Sequence, residues 1–60
     1  MEFKIIDCFG HEWELSFGDR DMGMLFFQGH YQAPFPNERD AIAHIEWETG
    51  NKIRSSTRVD

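Results

Sequence analysis

Residues 12–17, Glu-Trp-Glu-Leu-Ser-Phe, alternate strictly between polar and apolar. Side chains on a strand point to opposite faces with a period of two. Trp13, Leu15 and Phe17 therefore share one face, and Glu12, Glu14 and Ser16 share the other. The segment before it does not alternate. Residues 2–9, Glu-Phe-Lys-Ile-Ile-Asp-Cys-Phe, are rich in β-branched and aromatic side chains and suit a strand that is apolar on both faces. A sheet built from these two segments needs cover on both sides, and this requirement constrains the chain more than any other feature.

The turn between them sets which residues need that cover. A two-residue Gly10-His11 turn, with Gly in the first position, places Cys8 opposite Trp13 and Ile6 opposite Leu15. Phe3, Ile5 and Phe9 then fall on the other face. A three-residue turn through Phe9 places Ile5 opposite Leu15 and Phe3 opposite Phe17, leaving Ile6 and Cys8 outside.

Residues 18–23, Gly-Asp-Arg-Asp-Met-Gly, read as a polar loop. Residues 24–28, Met-Leu-Phe-Phe-Gln, form a third strand that can run on through His30 and Tyr31. Pro34 and Pro36 stop it, because proline cannot sit in a central strand. Asn37 is then a helix N-cap, with Glu38 and Asp40 in a first turn where carboxylates suit the helix dipole. Phe35, just upstream, can staple onto Ala41 or Ile42. The helix runs through Thr49 and ends at Gly50, a natural left-handed cap. Ala41, Ile42, Ile45 and Thr49 form its buried stripe.

The expected fold is α+β. It is a three-stranded antiparallel meander with one helix packed on one face, and a short fourth strand can come from 51–55. Residues 1–54 make the domain, and 55–60 read as a flexible tail.

Sixty residues bury only about 60% of their unfolded surface, so a chain this small needs a dense core, a metal, disulfides or a second copy. A single cysteine, Cys8, excludes an internal disulfide. The 40% hydrophobic content excludes a disordered chain. No apolar run approaches the roughly 20 residues that cross a bilayer. The start, Met-Glu-Phe-Lys, shows no export signal, so the expected location is cytoplasmic.

Charge indicates the kind of partner. The formal net charge is -5, and the first fifty residues hold ten acids against three bases. Duplex affinity comes mainly from Lys and Arg neutralising phosphates, so this body disfavours direct nucleic-acid binding and is drawn to basic protein surfaces. Asp7, Glu12, Glu14, Asp19 and Asp21 cluster in the first hairpin and the loop after it, and Glu38, Asp40, Glu46 and Glu48 decorate the helix. A solvated acidic surface explains these as solubility. Set beside exposed aromatics, they can instead imitate the charge of a nucleic-acid backbone.

Trp47 lies about 140° from Ile42 on a helical wheel, off the buried stripe. Either the C-terminal segment covers it or it anchors a partner, as Trp often does. Cys8-x-x-His11 has a zinc-compatible spacing, but His30 and His44 complete no tight pair, so no metal or other cofactor is assigned. Cys8 with Asp7 and a histidine makes a weak candidate nucleophile, because the sequence places Cys8 inside a strand. No phosphate loop, dinucleotide fingerprint or metalloprotease motif is present. Lys52, Arg54 and Arg58 are too few for a phosphate-binding patch, and they suit the helix C-terminus and Glu46 or Glu48.

The expected function is a non-enzymatic protein-binding domain. Its most concrete form is an inhibitor that mimics nucleic-acid charge and blocks a DNA- or RNA-handling enzyme. In size and charge alone, it resembles the small acidic proteins that phages and mobile elements use against host enzymes. Glu12, Glu14, Asp19 and Asp21 would dock electrostatically, with Phe9 and Trp47 as apolar anchors. Two alternatives are a nucleic-acid-binding module stacking bases on Phe26, Phe27 and Tyr31, and a homodimer or assembly subunit.

Overall fold

The computed structural model describes residues 1–19 and 21–60. Arg20, within the expected Gly18–Gly23 loop, lies outside the described residues. Among these residues the chain forms five strands and one helix: β1 (Glu2–Ile6), β2 (Glu12–Phe17), β3 (Gly23–Phe27), β4 (His30–Phe35), α1 (Glu38–Thr49) and β5 (Ser55–Arg58). All pairings are antiparallel, in the spatial order β4-β3-β2-β1-β5. The α+β class and the single helix are as the sequence implies, but the sheet is wider than three or four strands.

Two local features account for the extra width. The third strand does not run on through His30. Gln28 and Gly29 both have positive φ, 48° and 87°, and make a two-residue turn of the kind that matches strand twist. The chain doubles back so that Phe27 pairs with His30, and Pro34 sits in β4 because β4 is an edge strand. At the opposite edge, Ser55–Arg58 pairs with β1, where the sequence reading placed a tail and put the extra strand at 51–55. Nothing apolar marks Ser-Ser-Thr-Arg as a strand. A polar edge strand is a common way to blunt an open sheet edge.

Between these edges lies α1. The chain leaves β4 at one edge of the sheet and enters β5 at the other, with α1 between them in sequence. The first helical residue, Glu38, already meets Ser56 of β5. The helix caps are those expected. Asn37 Oδ1 accepts from the Asp40 amide at 2.8 Å, and Gly50, at φ 75°, donates its amide to the Glu46 carbonyl at 2.9 Å.

The helix covers one face of the sheet. Ile5, Trp13, Leu15 and Leu25 from that face meet Ala41 and Ile45, with Phe3, Phe17, Phe27, Phe35, Ile42 and Ile53 closing the periphery. Phe35 leans on the ring of His44, with centroids 5.1 Å apart. Ser56 of β5 donates to the Glu38 carboxylate, tying the last strand to the helix.

Neither expected hairpin register forms. Ile5 pairs with Trp13 and Phe3 with Leu15, leaving the five residues 7–11 as the β1–β2 loop. The cause is Asp7. Its side chain is buried to 1% exposure, and Oδ1 accepts from the amides of Phe9 and His11, both at 2.9 Å. Oδ2 accepts from Trp13 Nε1 at 2.8 Å. The loop backbone adds Asp7 N–H to the His11 carbonyl and Gly10 N–H to the Asp7 carbonyl. An aspartate that satisfies this many loop donors makes a longer, rigid loop preferable to a tight turn. Asp7 is thus a core residue and not part of the acidic surface.

Candidate protein-docking face

The registers define what the helix leaves open. Residues directly opposite one another share a face, so one row across the uncovered side runs Thr57, Lys4, Glu14, Phe26, Tyr31. A second runs Glu2, Ser16, Met24, Pro34, and a third holds Ser55, Ile6 and Glu12. No element lies over these rows among the described residues.

The face is graded in chemistry. On its β3–β4 side, Phe26 and Tyr31 stand edge to face with ring centroids 5.8 Å apart, and Met24 and Pro34 flank them. Tyr31 is 50% exposed, while Phe26 and Met24 are half-buried by their neighbours within the sheet. The middle strand contributes Glu12 and Glu14, both exposed. Beyond them, Lys4 reaches Glu12 at 3.6 Å. This exposed ion pair contributes little to stability. Glu14 stands between Lys4 and Phe26 in the central row.

Of the six residues named from sequence, Glu12 and Glu14 come together on this face. Asp19 and Asp21 are exposed at the β2–β3 connection. Phe9 projects from the β1–β2 loop with 64% exposure, and Trp47 stands on the solvent side of α1 with 79% exposure. The C-terminal segment does not cover Trp47; its ring neighbour is His44, 6.2 Å away. The six do not form one continuous surface.

The base-stacking trio also divides. Phe26 and Tyr31 lie on the open face, but Phe27 lies on the helix face, packed 4.6 Å from Trp13. Alternation along β3 forces this separation, because adjacent residues point to opposite sides.

Cys8 and His11 lie in the β1–β2 loop, His30 begins β4, and His44 sits in α1 with Nε2 3.3 Å from Glu48 Oε2. Among the described residues no three His, Cys, Asp or Glu side chains converge as metal ligands. Lys52 reaches Glu46 at 3.8 Å, as its position after the helix implies.

Sequence reasoning missed the role of Asp7 and the pairing of Phe26 with Tyr31. The first had a signal: an Asp three residues before Gly in a hairpin connection is a turn-forming pattern. The second depended on the Gln28-Gly29 turn, which Gly29 alone only suggests. Among the described residues no helix is long and apolar enough to cross a membrane. Comparison with protein-family models, curated proteins and solved structures finds no match for this chain.

Proposed function

We propose that this chain is a non-enzymatic binding domain that docks its uncovered sheet face on a basic surface of a partner protein. The observation that carries this reading is the Phe26–Tyr31 pair left open beside Glu12 and Glu14. An aromatic patch edged by carboxylates supplies desolvation at its centre and charge steering at its rim, the arrangement that protein interfaces use.

Charge decides among the possible occupants. A second copy would bring its own -5 charge and its own glutamates to the contact. A nucleic acid stacking on Phe26 would set its phosphates beside Glu14. A basic protein surface meets neither penalty. A phosphate-binding groove of a DNA- or RNA-handling enzyme is the most specific partner of this kind, with the carboxylates standing in for phosphates.

The test is affinity capture with the wild-type chain, with Glu12→Lys/Glu14→Lys, with Tyr31→Ser, and with Glu48→Lys on the helix as control. The proposal expects one basic protein retained by the wild type and the control, lost by both face variants, and displaced by added duplex DNA. A partner held equally by all four chains would refute docking through this face. Retention in the presence of excess duplex would refute the phosphate-mimic form.

A further inference from the structure

On the helix side, away from the docking face, a cleft of about 390 Å³ opens between the β1–β2 loop and the C-terminal end of α1. That volume lies within the range of small-molecule sites. Phe9, Trp13 and Phe27 give it apolar walls. Glu48 and Thr49 line it from the helix, and Gln32 lines it from β4. Gln32 is the residue that the β3–β4 register skips between Tyr31 and Ala33, and a bulge of this kind re-aims a side chain.

The polar atoms of this lining are mostly acceptors, because its donors are largely spent inside the protein. Trp13 Nε1 donates to Asp7 Oδ2 at 2.8 Å, and Gln32 Nε2 donates to the His30 carbonyl at 3.0 Å. The Thr49 hydroxyl donates to the carbonyls of Ile45 and Asn51, at 2.9 and 3.2 Å. The His11 ring and the second Gln32 N–H are the donors left. The acceptors left are Gln32 Oε1, the Thr49 Oγ1 lone pairs and the Glu48 carboxylate. Glu48 is exposed, with His44 Nε2 3.3 Å from its Oε2, and no Lys or Arg reaches it among the described residues. Asp7 adds a second negative charge, and the lining holds neither Lys nor Arg. Arg54 lies against Gly10 of the same loop, outside the lining. A cation with several N–H donors and an apolar stem matches this chemistry. An ammonium is strongly hydrated and would have to shed that water beside Phe9 and Phe27. A guanidinium is weakly hydrated and spreads five N–H donors over a plane, which suits acceptors carried on two elements. Free arginine would bring its own carboxylate to a lining with no cation to hold it. Within a peptide that carboxylate is gone.

We infer that this cleft binds the side chain of an arginine held within a peptide or protein chain. Its methylenes lie along the apolar walls, as long charged side chains do, and its guanidinium donates to Glu48, Gln32 and Thr49. The inference stands apart from the docking reading, because it uses the opposite side of the sheet.

The test follows backbone amide, Trp13 indole and Gln32 side-chain resonances while titrating short peptides, acetylated and amidated at their ends. One carries arginine, one lysine, and one citrulline, which is arginine's shape without its charge. Free arginine is the fourth ligand. Saturable shifts at Phe9, Trp13, Gln32 and Thr49 are expected with the arginine peptide. The lysine peptide and free arginine should bind more weakly, and the citrulline peptide should not saturate. Glu48→Gln should weaken the arginine peptide about two- to fivefold, the equivalent of one exposed ion pair. Glu48 is exposed, so this variant keeps the fold, and an unchanged spectrum elsewhere in the sheet checks it. Equal binding of the lysine or citrulline peptide, tighter binding of free arginine, shifts centred on Glu12 and Glu14, or no saturation by the arginine peptide would each overturn the inference.

Discussion

Replacing Asp7 with Asn tests the central packing idea of this fold with a change of almost no volume. The amide keeps one oxygen, which can still accept from Phe9 and His11. Its NH2 group then occupies the place of Oδ2 and faces Trp13 Nε1, now 2.8 Å away as donor against donor. An unsatisfied buried donor costs about 1–3 kcal/mol. The loop bonds also lose their charge assistance, which roughly doubles the strength of such bonds. Asp7→Asn is therefore expected to cost about 2–3 kcal/mol. In a domain whose core supplies only about 3–5 kcal/mol, that removes most of the stability. The thermal midpoint should fall by about 10–20 °C, at about 4–8 °C per kcal/mol for a chain of this size.

The assay is thermal and urea unfolding by circular dichroism, for Asp7→Asn, Trp13→Phe and the double variant. Trp13→Phe removes the indole donor. In its background Asp7→Asn should cost clearly less, so the double variant should be more stable than the sum of the singles predicts. The pH dependence gives a second reading. Burial pushes the Asp7 carboxyl up, but the Trp13 indole, the His11 and Phe9 amides and the His11 charge together outweigh it, leaving the group below its ordinary value of 3.8. A depressed folded-state pKa means that the stabilisation is complete above the ordinary carboxylate range. It is lost as pH falls through the lower folded-state value. Wild-type stability should decline below about pH 4, and Asp7→Asn should lack that part of the decline. A variant within 0.5 kcal/mol of wild type, or a strictly additive cycle, would refute the keystone role of Asp7; that bound is about the scatter of unrelated surface substitutions.

Two further outcomes check the packing. Truncation after Arg54 removes β5, its pairing with Phe3–Ile6 and the Ser56–Glu38 bond. At about 0.5–1.5 kcal/mol per hydrogen bond it should lower the melting midpoint by 10 °C or more, about the effect of two such bonds, whereas loss of an unpaired tail would leave the midpoint unchanged. Gly23 is buried, and a Cβ there would stand 2.6 Å from the Phe17 ring, so Gly23→Ala must push that ring off Phe3, 6.4 Å away. The expected cost is about 1–3 kcal/mol by urea unfolding, and Gly23→Ala in a Phe17→Leu background should cost less.

Local chemistry alone determined much of this protein. The alternation of residues 12–17 fixed which side of β2 is buried. Asn37 and Gly50 set both ends of the helix, because a cap acts on its nearest backbone groups and needs no distant partner. The surplus of apolar positions in β1 over what one helix can cover also follows from counting faces, and the open face is partly apolar, with Ile6, Met24 and Phe26.

Tertiary structure decided the rest. Ser55–Arg58 is a strand only because β1 offers a free edge and Glu38 offers an acceptor, and neither is visible in the four residues themselves. The hairpin register depended on Asp7 reaching Trp13, a contact that forms only once both strands are in place. The sharing of a face by Phe26 and Tyr31, and the separation of Phe27 from both, depended on a turn of two residues and a bulge after Leu25. Pairing energies are collected between segments that meet in space, so a sequence can state which faces need partners before the fold states which partners they find.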